Sequence, residues 1–390
     1  MPIVVFVLAA AVFAQGTSEF MVSGLLESIA TDVGVSLGAA GLLTSLFAGG
    51  MVVGAPIMAM VTGRFPVKHS VTAFLGLFTA AHVVGAMTDE FAVLLATRVV
   101  AAVADAGFLA ITLAALPGLV GQAMVGRATS VIVSGVTVAC IAGVPAGALL
   151  GQVWGWRSMF WAVAALSAAA LVPVWMMLGQ VARQADSQDE PIRREWLVLK
   201  QQPVRVLIIA AILVNAATFA GFTFLGTITT TIAGTERWVP LVLALFGVGS
   251  FLGVLTAGRY ADRHQAGIIR AGTVALTTIW LLAAVLAHTL IGISVMSMVL
   301  GAFAFGVGSA LIASIVRTTV PGAPRIGGAL ATTALNIGAV LGPVVAGPLV
   351  DRTGDPTTAL WCGVAFTAVA AGVAMVGYRH QGIKPNGLFE

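Results

Sequence analysis

The amino-acid sequence predicts an all-α polytopic membrane protein of twelve spanning helices, arranged as two related six-helix halves. Three observations carry that reading. Hydrophobic residues make up 59% of the chain and charged residues only 9%, too little charge to cover a soluble surface. The apolar residues fall in about twelve runs, nearly all near or above the ~18 residues that read as a spanning helix. Stretches of the second six runs also repeat stretches of the first.

The runs lie near residues 3–27, 39–61, 70–88, 91–118, 128–150, 158–179, 204–231, 239–258, 267–288, 291–316, 327–350 and 357–378. Barrel strands are half as long, and lipid admits only helices or a closed barrel, because backbone groups left unpaired in hydrocarbon are too costly. MPIVVFVLAAAVFAQ has the apolar core and small residues of a signal peptide. It lacks a basic start, however, and stays apolar as far as Leu26, so it reads as the first span. Cys140 and Cys362 fall inside separate runs and read as small buried residues, with no disulfide or metal framework.

Charge placement sets the expected orientation. With the amino terminus inside, fifteen of the nineteen Lys and Arg residues fall in cytoplasmic loops or the tail. Arg157, Arg237 and Arg352 are left outside, and Arg98 lies within a span. The positive-inside bias therefore predicts that both termini are cytoplasmic. The basic balance is topological and asks for no nucleic-acid partner.

The longest polar interruption, 180–203, mixes both signs of charge and reads as a solvated cytoplasmic linker between an amino half, 1–179, and a carboxyl half with a short tail, 204–390. Gly54, Gly63 and Arg64 recur as Gly249, Gly258 and Arg259, offset by 195 residues. Gly147 and Trp161 recur as Gly347 and Trp361, offset by 200. Parallel six-helix repeats place a substrate site between the halves near the midplane, exposed alternately as one half rocks against the other.

Candidate chemistry begins in the first span, QGTSEFMVSGLLE. A carboxylate in the hydrocarbon layer costs several kcal/mol and usually faces a polar cavity. Glu19 lies sixteen residues past Ile3, roughly 24 Å along a helix. Glu27, two turns on, is expected on the same face. Arg98, in the fourth span, comes out at a depth close to that of Glu19; a buried guanidinium needs an acidic or carbonyl partner, and an ion pair with Glu19 would serve either as a proton switch or as a static link between spans. Asp105 lies two turns beyond Arg98 with no cation expected at its level; it either hydrogen-bonds a neighbouring helix or contributes to the site. His82 reads as an interhelical hydrogen bonder.

Gly135, Gly143, Gly147 and Gly151 with Pro145 in the fifth span, and Gly338, Gly342, Pro343 and Gly347 in the eleventh, permit close packing and bending. Asn215, Phe219, Phe222, Phe303 and Asn336 are the polar and aromatic candidates for a drug-sized cavity, although Phe residues also serve plain packing. No P-loop or HExxH occurs, so neither ATP nor catalysis is expected to drive the protein, and an ion gradient remains.

Four features together carry a family resemblance: GTSEFMVSGLL, the GRF and GRYADRH loops, Arg98 in LLATRVVAAVADAGF, and GVTVACIAGVPAGALLG followed by WGWRSMF. Over its whole length the chain resembles the major facilitator superfamily. It is most similar to the twelve-spanning drug:proton antiporters of the chloramphenicol-resistance type, and next to sugar exporters of the arabinose type. The resemblance implies a monomer that exchanges protons for a small drug and needs no cofactor beyond the proton gradient. The depth and charge of the residues, read in that light, point to proton coupling by Glu19, Arg98, Asp105 and Glu27, with Glu19 and Asp105 also meeting the drug. The resemblance implies gating by Gly143, Pro145 and Gly147 and by the loop residues Arg64, Gly258, Arg259, Asp262 and Arg263. The first loop departs from the family pattern, since no acid follows Gly63 as Asp262 follows Gly258.

Overall fold

Twelve helical stretches long and apolar enough to cross a bilayer occur among the described residues, each within a few residues of an expected run. The structure is a computed structural model. It describes the backbone of residues 1–61, 66–178, 192–319, 323 and 326–379, and their side chains apart from 55–61, 192–194, 260–268 and 377–379.

The first span is broken. Helix α1 (Ile3–Phe20) ends in a 3-10 turn, Met21–Gly24, before a short helix α2 (Leu26–Val33). Ser23 donates its hydroxyl to the Phe20 carbonyl at 3.0 Å, which competes with regular helix bonding. Glu27 thus sits on a different helix from Glu19, and the shared face expected from an unbroken helix is not formed.

The next spans are α3 (Leu37–Val61), α4 (Val67–Met87) and α5 (Phe91–Val120). The fifth span divides into α6 (Val125–Val138), a π turn (Ala139–Gly143) and α7 (Val144–Trp154). Pro145 has no N–H to give the preceding turn, and the wider π turn accommodates that loss. The sixth span is α8 (Arg157–Met177). Within the expected linker, Ile192–Lys200 are helical; Val198 is buried and Glu195 accepts the Ile326 N–H at 3.2 Å. This stretch therefore touches the protein through Val198, Leu199 and Glu195, while Trp196 and Leu197 stay exposed as a solvated connector would have them.

The second six spans begin with α9 (Gln202–Ala233), followed by α10 (Val239–Leu286), α11 (Leu290–Thr319), α12 (Gly327–Thr353) and α13 (Thr358–Arg379). Helices α9 and α12 both end on a left-handed glycine, Gly234 (φ 67°) and Gly354 (φ 66°), which closes the last turn without Cβ strain. Helix α10 holds both the eighth and the ninth span, Glu236–Arg259 and Ile269–Leu286. Its Gly253 packs on Ala302 of α11, and its Gly272 packs on Val307. Those partners lie about 7.5 Å apart along α11, whereas nineteen residues of straight helix measure ~28 Å. So α10 is not one straight rod, and its two arms flank α11.

Matching glycines set matching contacts. Gly135 and Gly143 press α6 and its π turn against α1, at Ala9 and Thr17. Gly338 and Gly342 press α12 against α9, at Ile212 and Ala216. Gly147 meets Met159 of α8, where an added Cβ would lie 2.8 Å from the thioether.

The first six and last six spans meet along two seams. In one, Gly38 of α3 meets Gly347 of α12 backbone to backbone, Ser45 donates to the Val340 carbonyl at 3.1 Å, and Asp351 accepts from Ser36 Oγ at 2.7 Å and the Gly38 N–H at 2.8 Å. In the other, Gly247 of α10 lies against the Cys140 carbonyl in the π turn, and Gln152 donates to the Glu236 carbonyl at 2.6 Å. These contacts run from mid-span to the end of the bundle that carries Asp32, Arg157, Glu236 and Asp351. At that end Arg157 clasps Asp32 and Asp89, the latter at 2.6 Å, while Trp156 donates to Asp32 at 2.9 Å. These donors hold the Asp32 carboxyl below its usual range, chiefly through Arg157 and then Trp156.

Candidate functional site

Ser18 lies in the last turn of α1, where backbone carbonyls lack full intrahelical partners. Arg98 of α5, 1% exposed, uses that opening: it donates to the Ser18 hydroxyl at 2.8 Å and to the Ser18 carbonyl at 2.9 Å. A longer contact at 3.4 Å reaches the Leu43 carbonyl of α3, and the guanidinium stacks 4.3 Å from the Phe47 ring centroid. His82 of α4 completes the network. Its Nδ1 lies 2.8 Å from the Phe78 carbonyl and so carries the proton, which leaves Nε2 to accept the Ser18 hydroxyl at 2.7 Å. One serine therefore joins α1, α4 and α5, and His82 bonds between helices as expected.

The ion pair between Arg98 and Glu19 that their shared depth allows is not formed. The ion pairs seen between described residues join Arg157 to Asp32 and Asp89, and none reaches Arg98. Arg98 spends its donors on Ser18 and Leu43, neutral oxygens that satisfy the guanidinium without a carboxylate. Glu19 is the one residue from Gln15 to Ser23 that is only half-buried, and it makes no hydrogen bond among the described residues. Asp105, 5% exposed, likewise makes none, yet it is not isolated as expected: the charges of Glu19, Arg98 and Asp105 act on one another. Two unpaired carboxylates and one neutrally solvated guanidinium thus form a single electrostatic cluster.

Beside that cluster stands an aromatic wall drawn from both sets of spans. Phe20 of α1 lies 5.9 Å from both Phe219 and Phe222 of α9, and Phe222 lies 4.8 Å from Phe246 of α10. Phe246 in turn meets Phe305 of α11 at 6.0 Å. Phe219 and Phe222 are brought together, both buried among these rings, whereas Phe303 is not. It is 42% exposed and lines a separate apolar cleft of about 520 Å³ with Leu252, Gly272 and Ala302; two residues along a helix turn it ~200° away from Phe305. Asn215 ties α9 to the Leu335 carbonyl of α12 at 2.6 Å, and Asn336 bonds its own helix at Thr332, 3.1 Å away.

Other expected residues fall elsewhere. Glu27 faces Glu236 in a small cavity at the Asp351 end of the bundle, apart from Glu19. Gly143 ends the π turn that Gly247 touches at Cys140, Pro145 opens α7 just after it, and Gly147 packs within the first six spans. Gly258 is open and Arg259 exposed; Arg64 and the side chains of Asp262 and Arg263 lie outside the described residues. The sequence reading missed Ser18, which no charge marks, and Phe20, Phe246 and Phe305. It also missed Gln15, one turn before Glu19 and buried with both side-chain polar atoms unpartnered. Its signal was a lone amide in an apolar run.

Twelve spans meeting along two seams, with a charged cluster and an aromatic wall between them, define a polytopic transporter fold, and the chain belongs to the major facilitator superfamily, whose family model matches residues 8–343. It is 45% identical over 377 residues, 96% of each chain, to the "Chloramphenicol resistance protein" of Streptomyces lividans. It is 28% identical to a "Chloramphenicol efflux pump" of Mycobacterium tuberculosis, over 89% of this chain and 86% of that one. Among solved structures, the nucleoside transporter NupG (D323A mutant) superposes with a TM-score of 0.83 over 96% of this chain and 99% of that one, at 15% identity, a likeness of fold alone.

Proposed function

We propose that the protein is a proton-coupled exporter of a small, largely apolar drug, chloramphenicol by kinship, working in a bacterial cytoplasmic membrane with both termini inside. Residues 1–179 and 204–390 act as the two rocking halves. The end that carries Asp351 and Glu236 is then the outer face, and the closed seams there make this an outward-closed form.

The observation that carries the reading is the unpaired Glu19 carboxylate beside the Phe20, Phe219 and Phe222 wall. A carboxylate at this depth that stays ionised without a partner costs several kcal/mol. Arg98 is held one residue away by Ser18, so a proton on Glu19 is the alternative. When the proton leaves, Arg98 needs only to pass from Ser18 to the adjacent residue to pair with the new charge. Proton and drug thus compete through one cluster, which couples them. Asp105 serves as a neutral hydrogen-bond donor to drug, and the aromatic wall supplies apolar contact. Gly143, Pro145 and Gly247 form the bending point, and the drug leaves chemically unchanged.

The test is chloramphenicol movement in inverted membrane vesicles. Export predicts that the drug dissipates an imposed proton gradient, and that the gradient drives drug accumulation. Gradient-driven uptake of an aldopentose in place of chloramphenicol would instead assign a sugar exporter.

A further inference from the structure

We propose that Glu27 and Glu236, with Thr227 and Thr230, form a binding site for one small monovalent cation, a proton or a sodium ion, that locks the two six-helix halves together at the outer end. The inference rests on the reading of the chain as two rocking halves.

The cavity is about 10 Å³ and is lined from the first half by Ser23 and Glu27, and from the second by Thr227, Thr230 and Glu236. That is room for one water-sized occupant. Its walls are held in place independently. Gln152 of the first half grips the Glu236 carbonyl at 2.6 Å, and the Thr235 side chain caps the turn that carries Glu236. Inside, the polar atoms are short of partners. Glu27 Oε2 is buried and unbonded, and Thr227, 4% exposed, has an unbonded hydroxyl. Thr230 gives its hydroxyl to the Gly226 carbonyl at 3.2 Å and keeps its lone pairs.

Two carboxylates facing each other across an interface repel, and a buried carboxylate oxygen without a partner is costly. A cation between them removes both penalties. A proton on Glu27 gives a donor for Glu236 or Thr227, and a sodium ion takes two carboxylate and two hydroxyl oxygens, the ligands hard cations prefer. The site exists only while the halves are closed here, so the occupant favours closure.

Among the described residues no other charge lines the cavity. On α2 itself, Asp32 is committed to Arg157 and Trp156. Asp351 is tied to Ser36 and Gly38, Arg237 lies over Trp238, and α9 presents only threonines and glycine to the cavity. Burial, and then Glu236, raise Glu27 above the usual carboxylate range. A carboxyl raised in the closed form favours closure below that raised value, and the contribution is lost as pH climbs through it.

The test places spin labels at Thr31→Cys and Arg237→Cys in full-length protein with Cys140→Ala and Cys362→Ala, reconstituted without drug. In sodium-free buffer the label separation should be short at acidic pH and lengthen at alkaline pH. Glu27→Gln and Glu236→Gln should each stay short throughout, since an amide removes the repulsion. Sodium chloride at alkaline pH that restores the short distance, where choline chloride does not, identifies sodium; restoration by acid alone identifies the proton. A separation indifferent to both, or variants that respond as the wild type does, overturns the site. Because no drug is present, acid-dependent closure in a chain that exchanges no drug would discard the export reading and keep the lock.

Discussion

Arg98 is anchored to Ser18 through both the hydroxyl and the carbonyl, at 2.8 and 2.9 Å, and not to the carboxylate of the next residue. The same hydroxyl donates to His82, so Ser18→Ala leaves an arginine N–H and the His82 Nε2 unpaired. Each buried polar group left so costs about 1–3 kcal/mol. The variant should melt lower and exchange drug for protons several-fold more slowly, because Arg98 is then free to hold Glu19. Thermal unfolding in detergent and vesicle exchange read the two effects separately.

Arg98→Lys keeps the charge but loses the planar fork that reaches two oxygens of one residue. The variant should insert and fold at near-normal levels while export falls by at least tenfold. Normal export by a well-expressed lysine variant would make Arg98 a packing residue.

Closure along α3 and α12 depends on Asp351, whose carboxylate caps the start of α3 through Ser36 and Gly38. Loss of a capping carboxylate costs about 0.5–2 kcal/mol, enough to shift a two-state balance roughly two- to thirtyfold. In Asp351→Ala, a cysteine placed at the buried seam residue Ser45 should react faster with an impermeant maleimide applied at the Asp351 end. An unchanged labelling rate would show that the glycine contact of Gly38 with Gly347 closes the seam alone.

The Arg157 clasp predicts a pH dependence of opposite sign to that of Glu27. Arg157, then Trp156, lower Asp32, so the clasp stabilises fully above the ordinary carboxylate range and fades as pH falls through the lowered value. Both side chains are partly exposed, 30% and 49%, and solvent screening limits the effect to under about 1 kcal/mol. The thermal midpoint of the wild type should drop on acidification more than that of Asp32→Asn, and equal slopes would remove the clasp from the account.

Much of this architecture was legible in the sequence because lipid leaves so few choices. Each span shows as an apolar run, and the glycine rows of the fifth and eleventh spans pack on the first and seventh as their spacing allows. Departures arose where a local bond overrode the regular helix. Ser23 and Gly24 break the first span and separate Glu27 from Glu19, and Pro145 widens a turn. Depth counting brought Arg98 level with Glu19 but said nothing of Ser18, since a hydroxyl in an apolar run carries little signal until its neighbours are known. The aromatic wall was half-seen for the same reason: Phe219 and Phe222 stand out beside Asn215, whereas Phe20 and Phe246 acquire meaning only across the seam.

The most direct test of the central claim, that Glu19 carries the exchanged proton, is chloramphenicol-induced proton release from purified protein in detergent near neutral pH. Wild type and Asp105→Asn should both release protons on drug addition, the latter at higher drug concentration. Glu19→Gln, whose amide mimics the protonated acid, should bind drug and release none. Release retained by Glu19→Gln and lost in Asp105→Asn would contradict the account and pass the proton to Asp105.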